Sequence, residues 1–397
     1  MPSATAQVKL KPRKSGPFFA RHPWVLDASI DRVEGSAANG DVVDLVTDRG
    51  EFVARGVYNA ASRIQVRLYS WDADRPLDET FWRDRLVAAL ALREQIGYTD
   101  PNDACRLVFS EADGLSGLIV DRYGEHLVVQ LTAQAMATRI DQLVPMLVEL
   151  AGPQSILVRS EPSLAKAEGI EPQDRVAYGE PTTTVQIQQH GVTFAVDLGE
   201  GHKTGFYLDQ RENRRVAAAL MSGRRVLDMC CYSGGFGITA AKIGGASEVV
   251  AVDGSEKALE LARANAAANG VDNIRFQTGD CFKTLEALAA AGERFDAIVL
   301  DPPRFAGSRG AVERALSAYH RLNRLAVEIL SPAGWLVTCS CSAHVVREDF
   351  QATLAGVAQR TRRDIQFVEQ RGASPDHPVS ASCPETEYLK CFVCRVM

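Results

Sequence analysis

At 397 residues, with 46% hydrophobic and 24% charged side chains, the chain is too long for one ordinary domain and has the make-up of a globular protein. No apolar run approaches the ~20 residues that span a bilayer, and the N-terminus MPSATAQVKLKPRK has no apolar signal core, so a cytoplasmic protein without a membrane partner is expected. The net charge of −6 argues against bulk electrostatic binding of nucleic acid; residues 1–73 carry a balance of +2, and the cluster of Lys9, Lys11, Arg13 and Lys14 there reads on charge alone as a solvated terminal strand, or, if the partner is RNA, as the place where phosphate contacts would lie.

Residues 1–75 contain the strand-like runs DVVDLVT, EFVARGVY and RIQVRLYS, broken by Gly40, Asp48-Arg49-Gly50 and NAAS. The pattern predicts a small β-barrel or compact sheet. Residues 76–190 open with a connecting helix, LDETFWRDRLVAALALREQIG, stopped at Gly97. Two strands about Tyr123-Gly124, a helix ending at Gly152 and the strand SILVRS then predict a small central α+β module, and TTTVQIQQHGVTFAVDLG predicts a hairpin. From 191 to 397 strands and helices alternate. RRVLDMCCYSG, SEVVAVDGS, NIRFQTGD, FDAIVLDPP and WLVTCSCS read as strands. GGFGITAAKIGG, SEKALELARANAAANG and SAYHRLNRLAVEILSPAG read as helices, the second with Ser255 as N-cap and Gly270 past its end. This order predicts an α/β fold with a mostly parallel sheet covered on both faces, and ligands at the carboxyl ends of its strands.

The motifs lie at that edge. LDMCCYSGGFG ends a strand with Asp228 and turns through Gly234 and Gly235, where backbone can approach a ligand closely. It lacks the full G-x-G-x-x-G spacing of a dinucleotide loop, and an ordinary βα turn is the alternative. Asp253 closes VVAVD, where an acid can accept bonds from both ribose hydroxyls, or simply favour the start of the next helix. Asp280 in QTGDCF could receive an adenine amino group or cap its helix. In LDPPRF, two prolines hold a rigid extended segment after Asp301, and a buried unpaired carboxylate there would be costly.

Glycine loop, two spaced acids and DPP, in that order, look like a Rossmann-like S-adenosylmethionine-dependent methyltransferase. The similarity extends further. GHKTGFYLDQREN, CYSGGF, VDGS, LDPPRF, SCS and YLKCFVCRVM, with RHPWV and GVYN near the N-terminus and DGLSGLIVDRYG in the middle, resemble the bacterial 23S ribosomal RNA (cytosine-5) methyltransferase I family over nearly the whole chain. The resemblance implies a PUA-type RNA-binding barrel in 1–75, the central module in 76–190 and a class I methyltransferase domain in 191–397. It implies S-adenosylmethionine as cofactor, held by Asp228, Tyr232, Ser233 and Gly234, by Asp253, and by Asp280, Cys281 and Pro302. It implies 23S ribosomal RNA as partner, met by Lys203, Tyr207 and Gln210 and by Arg304 and Phe305. A domain-interface hairpin is the competing account of GHKTGFYLDQ. No metal is implied, and a homodimer is left open.

Nine scattered cysteines suggest reduced thiols rather than a disulfide framework, and the C-x-x-C of Cys391 and Cys394 has no second pair at zinc spacing. Strand alternation would turn those two to opposite faces. Carbon 5 of cytosine is a poor nucleophile, and a thiolate adding at C6 activates it. The family's nucleophile-bearing S-C-S maps onto Ser340-Cys341-Ser342, which implies Cys341 as nucleophile, Cys339 as core, and Asp301 as the acid at N3; the reverse assignment of the two cysteines is the alternative, since Thr338-Cys339-Ser340 resembles a related family's motif. Related enzymes carry a second cysteine where this chain has Arg304. Three other readings compete: methylation of an exocyclic base amine, a non-catalytic RNA-binding assembly factor, and a nicotinamide dehydrogenase.

Overall fold

The computed structural model describes residues 5–199 and 205–397. These fall into two compact units. One comprises residues up to 185 with 196–206 and 375–386; the other comprises 186–195, 207–374 and 387–397.

The first unit holds two sheets. A six-stranded sheet runs in the order Trp24–Leu26, Ile64–Ser70, Phe52–Tyr58, Val42–Val46, Ala6–Leu10, Ile30–Glu34. Its strands bury alternate apolar residues, Val8, Leu10, Val43, Leu45, Val53 and Val66 among them. A five-stranded sheet follows, in the order Asp174–Gly179, Ser155–Arg159, His126–Leu131, Leu118–Tyr123, Ala104–Phe109. The helix Glu79–Gln95 is capped by Asp78, whose side chain accepts from the Phe81 amide, and it buries Phe81, Trp82 and Leu86. Arg67 is buried between two carboxylates, 3.2 Å from Glu111 and 3.0 Å from Glu168.

The second unit is a doubly wound sheet. In chain order its elements are α1 (Arg211–Ala218), β1 (Arg225–Met229), α2 (Gly235–Lys242), β2 (Glu248–Asp253), α3 (Glu256–Ala268), β3 (Ile274–Thr278), α4 (Cys281–Ala290), β4 (Phe295–Leu300), α5 (Val312–Ile329), β5 (Leu330–Ser340), α6 (Arg347–Thr361), β6 (Ile365–Arg371) and β7 (Lys390–Val396). The strand order is β3-β2-β1-β4-β5-β7-β6. The first five are mutually parallel, and β7 runs antiparallel to both neighbours. β1 reads V-L-D-M with almost no exposure, as expected of a strand covered on both faces. Ser255 caps α3 by accepting from the Ala258 amide.

Helix α5 ends at Ile329, earlier than its apolar pattern through SPAG suggests. Pro332 has no amide hydrogen and disfavours helical backbone before it, so Leu330 is already extended. The first unit also contains strands that the sequence pattern did not announce: Ala6–Leu10, Trp24–Leu26, Ile30–Glu34, Ala104–Phe109 and Asp174–Gly179. Among the described residues, no helix is long and apolar enough to cross a membrane.

Candidate active site

The carboxyl ends of β1, β2, β4 and β5 bring the motif residues into one region. After β1 the chain turns through Cys230, Tyr232 and Gly234, with φ of 62, 50 and 84°. Left-handed backbone at two non-glycine residues needs support from its surroundings. That support is a set of hydrogen bonds. The Tyr232 amide donates to Asp253 Oδ2 at 2.8 Å, Gly234 N to the Cys231 carbonyl at 2.8 Å, and Asn265 Nδ2 to the Ser233 carbonyl at 3.2 Å. A Cβ on Gly234 would push the movable end of Ile238, 2.7 Å away, and it is the left-handed φ of 84° that calls for glycine here.

Asp228 lies beneath this turn with no exposure. Its Oδ2 accepts from the Gly237 amide of α2 at 2.7 Å, while Oδ1 has no hydrogen-bond partner. Burial pushes its pKa up to about 7; the Gly237 bond opposes the shift and the nearby Asp301 and Asp253 add to it. Ser233 Oγ is also buried and unpartnered. At the end of β2, half-buried Asp253 accepts from Tyr232 and, through Oδ1, from the Ser255 amide at 2.9 Å. A carboxylate has about four acceptor positions, so capacity for ribose hydroxyls is left. Asp280 is exposed and caps α4, accepting from the Phe282 and Lys283 amides at 3.1 and 3.0 Å. Cys281 is the first residue of that helix, half-buried.

Asp301 follows β4 directly. Its Oδ1 accepts from Gln210 Nε2 at 3.0 Å. Gln210 is itself oriented: its Oε1 accepts from Asn213 Nδ2 at 2.7 Å, and Asn213 Oδ1 accepts from Arg371 Nε at 2.9 Å. This chain of bonds runs from β6 through α1 to the DPP segment. Pro302 is buried, and its carbonyl lies 3.8 Å from Cys341 Sγ. Cys341 is half-buried, one residue beyond β5. The next residue, Ser342, is fully buried, its Oγ accepting from the Ala306 amide at 3.2 Å and lying 3.0 Å from the Tyr319 hydroxyl. Cys339 is in the core, directly opposite Cys391 of β7. Cys391 and Cys394 fall into cores on opposite faces of the sheet.

The remaining motif residues are less uniform. The Tyr207 ring stands edge-on to Tyr232, centroids 5.4 Å apart. Arg304 is exposed, whereas Phe305 packs against Tyr319 and Phe282, centroids 4.8 and 6.3 Å away, within the helix layer. Lys203 lies outside the described residues. Sequence reasoning passed over Asn213 and Arg371. The first sits three residues after Gln210, a helical-neighbour signal; the second is brought in only by tertiary structure.

In the first unit His22, Cys383 and Glu385 place one ligand-type atom each within 4.8 Å of the others. The Trp24 amide donates to His22 Nδ1 at 3.2 Å, which leaves the proton on Nε2, facing Glu385 at 3.3 Å. That tautomer has no lone pair aimed into the cluster for a cation.

Residues 163–391 match the family model of S-adenosylmethionine-dependent methyltransferases, and residues 8–71 match that of a PUA-like domain. Proteins named ribosomal RNA large subunit methyltransferase I are similar along nearly their full length. The one from Photobacterium profundum is 42% identical over 95% of this chain and 96% of its own, and the one from Erwinia tasmaniensis is 38% identical over 99% and 100%. A methyltransferase crystallised with SAH, 20% identical, superposes over 98% of this chain and 99% of its own with a TM-score of 0.85, a likeness of fold. The cofactor is S-adenosylmethionine, and the unpartnered Asp228 and Ser233 atoms, the glycine turn and Asp253 fit a nucleoside-bearing group of that kind. The PUA-like domain at residues 8–71, the doubly wound sheet and the relatives matched end to end together make this chain a member of the ribosomal RNA large subunit methyltransferase I family.

Proposed function

We propose that this protein methylates C5 of a cytosine in 23S ribosomal RNA through a covalent adduct between Cys341 and C6. The observation that carries the reading is the approach of Cys341 Sγ to 3.8 Å from the Pro302 carbonyl, next to Asp301. A half-buried thiol and a carboxylate on adjacent strand ends are the pair that C5 chemistry needs. The names of the full-length relatives support large-subunit RNA as the substrate.

On this reading Asp228, Tyr232, Ser233, Gly234 and Asp253 hold the cofactor, with Asp280, Cys281 and Pro302 around its base. Bound S-adenosylmethionine supplies an electrophilic sulfonium methyl. The Cys341 thiolate adds to C6 of the flipped or looped-out cytosine. Asp301 hydrogen-bonds or protonates N3 and stabilises the charge that builds on the ring. Gln210 fixes the direction of that carboxyl group. C5 becomes enamine-like and takes the methyl. Loss of its proton to water and departure of the thiolate restore the aromatic ring. Tyr207, Gln210 and Arg304, with Lys203, are assigned to the RNA side. Phe305 would support that side from the helix layer.

The test is covalent trapping. The protein is incubated with S-adenosylmethionine and a ribosomal RNA fragment carrying 5-fluorocytosine, beside Cys339→Ala and Cys341→Ala variants. A denaturant-stable adduct lost only with Cys341→Ala supports the reading. Methylation of the normal RNA with no adduct from the fluorinated one would instead assign the chemistry to an exocyclic amine.

A further inference from the structure

Lys390, the first residue of β7, is 2% exposed. Its Nζ donates to the Ser342 carbonyl at 2.7 Å and the Tyr388 carbonyl at 2.8 Å. Neither acceptor carries a formal charge, and among the described residues no carboxylate lies within ion-pair distance of it. A lysine buried this way is costly unless something nearby benefits from its charge. Its backbone pairs with Ser340, and one of its acceptors belongs to Ser342, so it brackets Cys341 from the neighbouring strand.

The charged and titratable groups that face it divide by sign. Cys341 and Glu387 favour the ammonium form, while Arg347 and Arg304 oppose it. Glu387 is already engaged by Arg347 at 2.5 Å. The Cys341 thiol is thus the one group whose ionisation would both complement Lys390 and serve the proposed reaction. As it stands, that thiol lies 3.8 Å from the Pro302 carbonyl.

We propose that Lys390 is a positioning residue for Cys341: anchored on the Ser342 and Tyr388 carbonyls, its ammonium group fixes the backbone that carries the thiol and supplies the positive charge against which the thiolate forms. The inference rests on the reading of Cys341 as nucleophile. The thiol proton leaves to solvent before C6 is attacked; Lys390 is already protonated and does not take it up. Desolvation lowers the Lys390 pKa to about 8, so its charge is present below that pH and fades above it. Its help to Cys341 is therefore largest near neutrality, where an unassisted thiol would be mostly protonated.

The experiment measures the rate of Cys341 alkylation by iodoacetamide from pH 6 to 10, site by site by mass spectrometry, in the full chain and in Lys390→Met, Lys390→Gln and Lys390→Arg. Glutamine keeps a donor for the carbonyls and removes the charge; arginine keeps the charge. Expected is a fall of about tenfold in Cys341 reactivity at pH 7 for the Met and Gln variants, with Arg within about threefold of the parent. Should Met fail to fold, the Gln and Arg variants carry the comparison. Unchanged pH dependence in the folded uncharged variants overturns the inference, even if the parent traps 5-fluorocytosine RNA. A shifted profile with no trapping by the parent would keep the Lys390–Cys341 pair and sink the cytosine-5 reading instead.

Discussion

At Asp228, burial and hydrogen bonding pull in opposite directions. One oxygen is satisfied by Gly237, the other by nothing in the protein, and the carboxyl group holds its proton up to about pH 7. An unfolded aspartate loses its proton near pH 4. Between those values the folded chain binds a proton that the unfolded chain has released, so this group costs stability as pH rises from about 4 to 7. Asp228→Asn keeps an acceptor for Gly237 and carries no charge. It should raise unfolding stability over the parent by on the order of 2 kcal/mol at pH 8, with the gap closing towards pH 4, as read by urea melts at each pH. The two neighbouring cysteines should separate just as cleanly. Cys341→Ala is expected to lower methyl transfer at least about a thousandfold in single-turnover assays with little change in melting temperature. Cys339→Ala, in the core opposite Cys391, should retain most activity and lose about 1 kcal/mol of stability.

Among the elements, the turn between β1 and α2 and the α1 bonding chain do different jobs. Gly234→Ala puts a methyl group 2.7 Å from Ile238 and forces φ of 84° on alanine, so S-adenosylmethionine affinity by calorimetry should weaken about tenfold or more. Asn213→Leu cuts the chain between Arg371 and Gln210 and leaves Gln210, which holds Asp301, without its own orienter. The expected result is a ten- to hundredfold lower kcat with cofactor affinity retained. Elements with strong alternation or clear caps were legible from sequence: Val42–Val46, Phe52–Tyr58, Ile64–Ser70, and α3 between Ser255 and Gly270. Others were hidden for physical reasons. Asp174–Gly179 is exposed along almost its whole length and so shows no two-residue period, while Ala6–Leu10 runs into the basic, proline-containing stretch after it. In the candidate site the acids, the glycine turn and DPP stood out because each is a local signal at a strand end, and Cys341 stood out through the resemblance of its S-C-S. Arg371 and Lys390 reach the same region only through pairing of distant strands, which no local pattern encodes.

On the scale of the whole molecule, each unit carries its own buried electrostatics. In the first, Arg67 joins Glu111 and Glu168, and Glu168 also receives Ser62 at 2.6 Å and Asn59 at 3.3 Å. Arg67→Met would strand two buried carboxylates and should destabilise that unit by about 3–5 kcal/mol, visible in scanning calorimetry as an early separate transition. The second unit's sheet has a different vulnerability. Strand β5, which leads to Cys341, is flanked by β4 from earlier in the chain and by β7 from residues 390–396. During synthesis β5 therefore emerges with one side unpaired, and it stays so until some fifty further residues have left the ribosome. Lys390 arrives with the same late strand. Until then neither the strand end that carries Cys341 nor the Lys390 bond to the Ser342 carbonyl is in its finished form.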